Sequence, residues 1–275
     1  MQATENRLTK RFDEILRSGG KLLIPYVTAC YPSQEATAAI LRQLDRVGVA
    51  AVELGFPFSD PVADGPVIQT SFVRALDKGF RVAQAFEVVA SVRPEVSVPI
   101  VAMVSYSVIY RFGLEKFVQG AAQAGYDAIL SPDLSVEESQ PLVEMAGKHG
   151  LVVPMLIAPT SPAPRREMIA RACSGFIYCV SVAGTTGERD QLPAELADQV
   201  LSLRKFGKPL CVGFGVSKPT HVAKVWEIAD GAIVGSAIVR HLNEAADANL
   251  GPQEVAEQVG KQADELLHPA GMSPN

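Results

Sequence analysis

The sequence predicts a (β/α)8 barrel, a TIM barrel preceded by one extra N-terminal helix. Eight short apolar runs recur along the 275 residues. Amphipathic stretches of helical period separate them, several ending in glycine just before the next run. Such strand–helix alternation builds a parallel sheet covered by helices, and eight units in about 250 residues is barrel size. An open doubly wound sheet is the alternative that alternation alone leaves.

The opening segment, MQATENRLTKRFDEIL, reads as an amphipathic helix with Leu8, Phe12, Ile15 and Leu16 on one face. The expected strands then follow in order: Leu22–Thr28, Val49–Leu54, Pro99–Val104, Asp127–Ser131, Leu151–Ile157, Gly175–Ser181, Pro209–Phe214 and Gly231–Gly235. Stretches such as EATAAILRQLDRVG, GLEKFVQGAAQAGY and VEESQPLVEMAGKHG supply helices between them. No low-complexity linker divides the chain, so residues 1–275 read as a single barrel domain, with 268–275 a flexible tail.

Composition narrows the function. Apolar residues make up 48% of the chain, enough for a large core. A net charge of -5, with scattered basic residues, argues against a nucleic-acid surface. No apolar run approaches the roughly 20 residues that cross a bilayer, and the polar N-terminus does not read as a secretory signal. Cys30, Cys173, Cys179 and Cys211 lack CxxC spacing, which fits reduced thiols in a cytoplasm and gives no metal framework. The four histidines are isolated. No metal is expected.

Barrel enzymes place their chemistry at the C-terminal ends of the strands. Glu53 stands at such an end, in VELGFPFSDPVADGP. On an inward face it would sit among apolar neighbours, its pKa raised toward neutrality, as general acid–base catalysis requires. A structural carboxylate bonded to backbone N–H groups is the other reading. Asp60 and Asp64 lie in the following loop, which Pro57, Pro61 and Pro66 restrict. Asp64 is placed to swing back over the mouth; Asp60 could instead cap a turn. The loops after the seventh and eighth strands, VGFGVSKP and VGSAIV, carry Gly215, Gly235 and Ser236 where barrel enzymes hold phosphate. The long loop Ser181–Pro193, with Glu188, Arg189 and Asp190, reads either as a lid or as a plain solvated loop.

Taken together, VELGFPFSDPVADGPVIQ, IPYVTACYPS, DLSVEES, GFIYCVSVAGTTG, VGFGVSKP and VGSAIV resemble, in order, the motifs of the tryptophan synthase alpha subunit family. The resemblance spans about Leu22 to Val239. It implies a cofactor-free barrel that cleaves indole-3-glycerol phosphate to indole and glyceraldehyde 3-phosphate. By the same resemblance, Glu53 is the acid–base and Asp64 bonds the indole N–H. Tyr26, Val104, Tyr106, Leu130 and Tyr178 fall at the indole pocket. Thr186, Gly187, Phe214, Gly215, Gly235 and Ser236 fall at further substrate contacts, chiefly to phosphate. The implied partner is a pyridoxal-phosphate beta subunit in an αββα heterotetramer, with Asp60 and the segment around Tyr106 at the interface. A stand-alone lyase or a mainly regulatory phosphate-binding subunit would share these residues. The family usually has Phe where Tyr26 stands, Gly for Cys30 and Val for Thr185.

Overall fold

The computed structural model describes residues 6–61, 64–181, 194–213 and 215–269. Helix α1 (Arg7–Arg17) leads into β1 (Leu22–Thr28), α2 (Gln34–Val47) and β2 (Val52–Gly55). Two helices, α3 (Pro66–Asp77) and α4 (Val82–Val92), precede β3 (Ile100–Met103); α5 (Tyr106–Phe112) and α6 (Leu114–Ala124) precede β4 (Ala128–Leu130). The alternation continues through α7 (Gln140–Lys148), β5 (Met155–Ile157), α8 (Ala163–Ala172), β6 (Ile177–Val180) and α9 (Ala194–Leu203). It ends with β7 (Leu210–Gly213), α10 (Pro219–Ile228), β8 (Gly231–Val234), α11 (Ser236–Asp247) and α12 (Pro252–Leu267). Among the described residues no helix is long and apolar enough to cross a membrane.

All ladders are parallel, in the order β4-β3-β2-β1-β8-β7-β6-β5. The two ends, β4 and β5, meet through a single bridge, Ala128 with Val152, so the barrel is nearly closed. The run Leu151–Ile157 predicts a seven-residue strand, yet β5 begins only at Met155. Pro154 has no N–H to give a ladder, so the residues before it contribute one bridge and no strand. β2 likewise starts at Val52 rather than Val49. Gly48 closes α2 in the left-handed region (φ 84), and the Val49 N–H turns back to the Leu44 carbonyl at 3.4 Å.

Period-two alternation divides the strands between two cores. Leu22, Ile24, Ala51, Val101, Ala128, Leu130, Phe176, Tyr178, Cys211 and Ile233 point inward and fill the barrel. The intervening residues, such as Leu23, Val27, Val52 and Leu54, pack outward beneath the helices. Leu8 and Phe12 of α1 join the inner core, with Phe12 and Phe176 rings 5.7 Å apart. The amphipathic face read in the first segment therefore stoppers the N-terminal end of the barrel. Asn6 fastens the stopper: its Oδ1 accepts from the Leu8 N–H at 2.9 Å, and its Nδ2 donates to the Asp127 and Gly150 carbonyls, each at 2.8 Å. With one end shut, the open C-terminal end is left for chemistry.

Candidate active site

Parallel register fixes what faces the mouth. Tyr26 on β1 pairs with Glu53 on β2, which pairs with Val101 on β3, so Tyr26 and Glu53 stand side by side at the top of the inner face. Glu53 is 1% exposed, and neither carboxyl oxygen has a hydrogen-bond partner among the described residues. The reading as a carboxylate held by backbone N–H groups is thereby removed. A bare carboxylate is costly in such surroundings, and burial pushes the Glu53 pKa up to about 8. Glu53 holds its proton at neutral pH.

Asp64 reaches the same cavity from the loop after β2. Its N–H donates to the Pro61 carbonyl at 3.1 Å, and Gln69 Nε2 donates to the Asp64 carbonyl at 2.8 Å. Gly65 and Pro66 then start α3, Pro66 needing no hydrogen-bond acceptor in the first turn. Burial raises the Asp64 carboxyl to about 6, which leaves it mainly ionised at pH 7. The cavity thus holds one protonated and one ionised carboxyl group at the same pH.

Two tyrosines complete the inner wall. A Cβ at Gly55 would overlap the Tyr26 hydroxyl, and one at Gly213 would overlap the Tyr178 hydroxyl, so each phenol needs a glycine on the neighbouring strand. Burial, joined by the nearby acids Glu53 and Asp64, pushes both phenols well above their ordinary range and keeps them neutral.

The cavity has a volume of about 280 Å³. Glu53, Asp64, Tyr26 and Tyr178 share it with Gly215, Gly235 and Ser236, so the acids and the glycine loops that sequence reasoning read separately meet here. Met103, Ile233, Val67, Ile68, Ser217 and Arg240 also line it and were not anticipated. An adjoining cavity of about 220 Å³ shares Tyr26, Asp64 and Met103 and contains Asp60 and Val104. Asp60 is exposed at this outer side.

Two residues expected at the indole pocket line neither cavity. Leu130 is wholly buried in the inner core, while its register partner Met103 lines the cavity. Tyr106 begins α5, and its N–H donates to Asp133 Oδ1 at 2.8 Å. The same carboxylate accepts from Ser105 Oγ at 2.6 Å and Ser131 Oγ at 2.9 Å, tying the loops after β3 and β4 together. Thr186, Gly187 and Phe214 lie outside the described residues, as do positions 182–193 of the lid candidate and 270–275 of the expected tail. Among the described residues, no group of three or more His, Cys, Asp or Glu is placed to hold a metal.

Known proteins share this architecture and sequence. The family model for the tryptophan synthase alpha chain matches residues 12–267. The tryptophan synthase alpha chain of Rippkaea orientalis is 44% identical over 247 residues, covering 89% of this chain and 90% of the relative. That of Chloroflexus aggregans is 43% identical over 243 residues, covering 88% and 91%. The crystal structure of tryptophan synthase subunit alpha from Legionella pneumophila superposes with a TM-score of 0.85 at 33% identity, covering 96% of this chain and 99% of that one. A chain of the tryptophan synthase complex from Pyrococcus furiosus superposes with a TM-score of 0.80 at 38% identity, covering 90% and 97%. With the family model matching nearly end to end and relatives above 40% identity, the chain belongs to the tryptophan synthase alpha chain family.

Proposed function

We propose that this chain is a carbon–carbon lyase that cleaves indole-3-glycerol phosphate to indole and glyceraldehyde 3-phosphate. The observation that carries the reading is the pair of carboxyl groups in one cavity: unpartnered Glu53, protonated at neutral pH, and Asp64, ionised. The glycine loops at Gly215 and Gly235, with Ser236, give the same cavity a phosphate end.

Retro-aldol cleavage needs an electron sink before the C–C bond breaks. Glu53 donates its proton to C3 of the indole ring, and the ring becomes a cationic indolenine. Asp64 accepts a hydrogen bond from the ring N–H and stabilises that charge. Glu53, now a carboxylate, takes the proton from the side-chain hydroxyl next to C3. The bond from C3 to the carbinol carbon breaks, its electron pair returns to the ring to restore indole, and the carbinol becomes the aldehyde. One carboxyl group thus begins and ends protonated. Tyr26 and Tyr178 wall the ring, and both remain neutral throughout the working pH range.

The reading asks for no cofactor in this chain. A pyridoxal-phosphate beta subunit takes up the indole within an αββα assembly, as the Pyrococcus furiosus a2b2 complex suggests, with Asp60 on the side that faces the partner. The chain acts as one barrel domain in the cytoplasm, a setting that its four free cysteines suit. Indole release by the purified chain, with and without beta subunit, tests the reading. Release that rises sharply with the partner supports it; fast release indifferent to the partner would make this a stand-alone lyase, and no release under either condition would overturn it.

A further inference from the structure

We infer that Arg240 is a specificity-determining residue of this cavity, supplying the positive charge that selects a phosphorylated substrate over its unphosphorylated counterpart. The inference rests on the reading of the cavity as the site for indole-3-glycerol phosphate. Arg240 is the one Lys or Arg among the described residues that line it. It stands on α11, which starts at Ser236. Four residues make about one helical turn, so Ser236 and Arg240 share a face of α11 and both reach the cavity beside Gly215 and Gly235.

Charge accounting favours a full cation there. A phosphate monoester carries roughly 1.5 to 2 negative charges at neutral pH. The N-terminus of α11 and the loop N–H groups offer the equivalent of about half a charge. The carboxyl groups in the lining, Glu53 and Asp64, supply no positive charge, and an incoming dianion repels an ionised Asp64. Arg240 is exposed, so it sits at the rim, away from the buried Glu53. Its planar fork matches phosphate oxygens two at a time, and five N–H donors allow it to keep the contact it already makes while taking a new one.

Position also sets the size and kind of effect. A rim cation acts in solvent and is screened by salt, so its loss costs far less than the loss of a buried ion pair. Arg240 is exposed while Glu53 is buried, so most of the loss should appear in KM and little in kcat. For Arg240→Ala the expected rise in KM for indole-3-glycerol phosphate is roughly 5- to 20-fold, in the range of one charge-assisted hydrogen bond at a solvated rim.

The experiment compares wild type, Arg240→Ala and Arg240→Lys on indole-3-glycerol phosphate and on indole-3-glycerol, with inorganic phosphate as competitive inhibitor. The inference expects the alanine variant to lose discrimination between the two substrates and to bind inorganic phosphate more weakly by a similar factor. The lysine variant, keeping charge without the fork, should recover part of both, and the difference between wild type and alanine should shrink as salt rises. An equal loss on both substrates, or unchanged inhibition by phosphate, overturns it. If wild type cleaves neither substrate, the lyase reading fails on its own. Calorimetric titration of the full chain with inorganic phosphate then still decides: weaker binding by Arg240→Ala upholds the role of Arg240, and equal binding overturns it.

Discussion

Glu53→Gln separates two consequences of burying an unpartnered carboxyl group: one for catalysis and one for stability. Glutamine keeps the shape but neither gives nor takes a proton. General acid–base catalysis is worth roughly 10²- to 10⁴-fold, so kcat should fall at least that far. Stability should move the other way. The folded-state pKa of about 8 lies above the ordinary value of 4.5. Below the ordinary value both states hold the proton and nothing is lost. As pH rises beyond it, the unfolded chain releases the proton while the folded chain keeps it, and stability drains away until the folded group ionises. At 1.36 kcal/mol per pH unit the accumulated loss is about 3 kcal/mol at pH 7 and about 1 kcal/mol at pH 5. Glutamine carries no such penalty, so Glu53→Gln should be the more stable protein by these amounts. Urea unfolding of both proteins at several pH values, set beside rates of indole release, gives both readouts. A stability difference that does not change with pH would refute the burial argument. A variant that retained a tenth of wild-type kcat would refute the catalytic one.

Three further outcomes follow from the same geometry. On the proposed mechanism the active form has Asp64 ionised and Glu53 protonated, which is roughly 0.8 of the protein at pH 7 and about 0.09 at pH 5 and pH 9. The profile of kcat/KM should therefore be bell-shaped, rising through the Asp64 pKa and falling through that of Glu53; a flat profile over this range would exclude the pair. Gly213→Ala places a methyl group where the Tyr178 hydroxyl stands, so the ring must shift and kcat/KM should drop about tenfold or more, a loss that Tyr178→Phe in the same chain should partly relieve. Asn6→Ala removes the cap of α1 and two bonds to the barrel floor, for an expected destabilisation of about 2 kcal/mol in urea with little change in kcat; an unchanged midpoint would mean that Leu8 and Phe12 hold the helix unaided.

All eight strands and the stopper helix were legible because each carries a strong local pattern. Strand ends were less so, since the shortening of β5 turns on one missing N–H at Pro154 and that of β2 on the left-handed Gly48. Of the site, the residues with chemical character were visible: Glu53 at a strand end, Asp64 in a proline-bounded loop, Gly215, Gly235 and Ser236 after late strands. Met103 and Ile233 were hidden, because an apolar residue on an inward face looks the same whether it lines a cavity or fills a core. Leu130 shows the converse, an inward residue that fills the core while its register partner Met103 lines the cavity. Val67 and Ile68 come from α3, and only tertiary closure brings that helix over the mouth. Arg240 had a usable signal, one turn beyond Ser236 on the same helical face, but the reading stopped at the glycine loop. At Cys30 the φ of 57 lies in the left-handed region, which glycine enters freely and which costs an L-residue roughly 1–2 kcal/mol; nothing in the structure explains the cysteine there.

The position of the site around the barrel follows from where the ladder is whole. Strands β3-β2-β1-β8-β7-β6 form an unbroken hydrogen-bonded series, and Met103, Glu53, Tyr26, Ile233 and Tyr178 stand on it. The single bridge between Ala128 and Val152 lies on the other side, between β4 and β5. On the proposed mechanism a proton passes from Glu53 to a ring carbon and back from a hydroxyl, and errors of an ångström in such geometry can cost about 10²-fold in rate. Continuous ladders hold the acid and the ring wall to each other through shared backbone bonds, whereas a seam with one bridge lets neighbouring strands shift. The loops beside the seam are fastened differently: Asp133 binds Ser105, the Tyr106 N–H and Ser131 from outside the barrel. The barrel thus keeps its continuous ladders around the candidate site and confines its weakest backbone joint to the β4/β5 side.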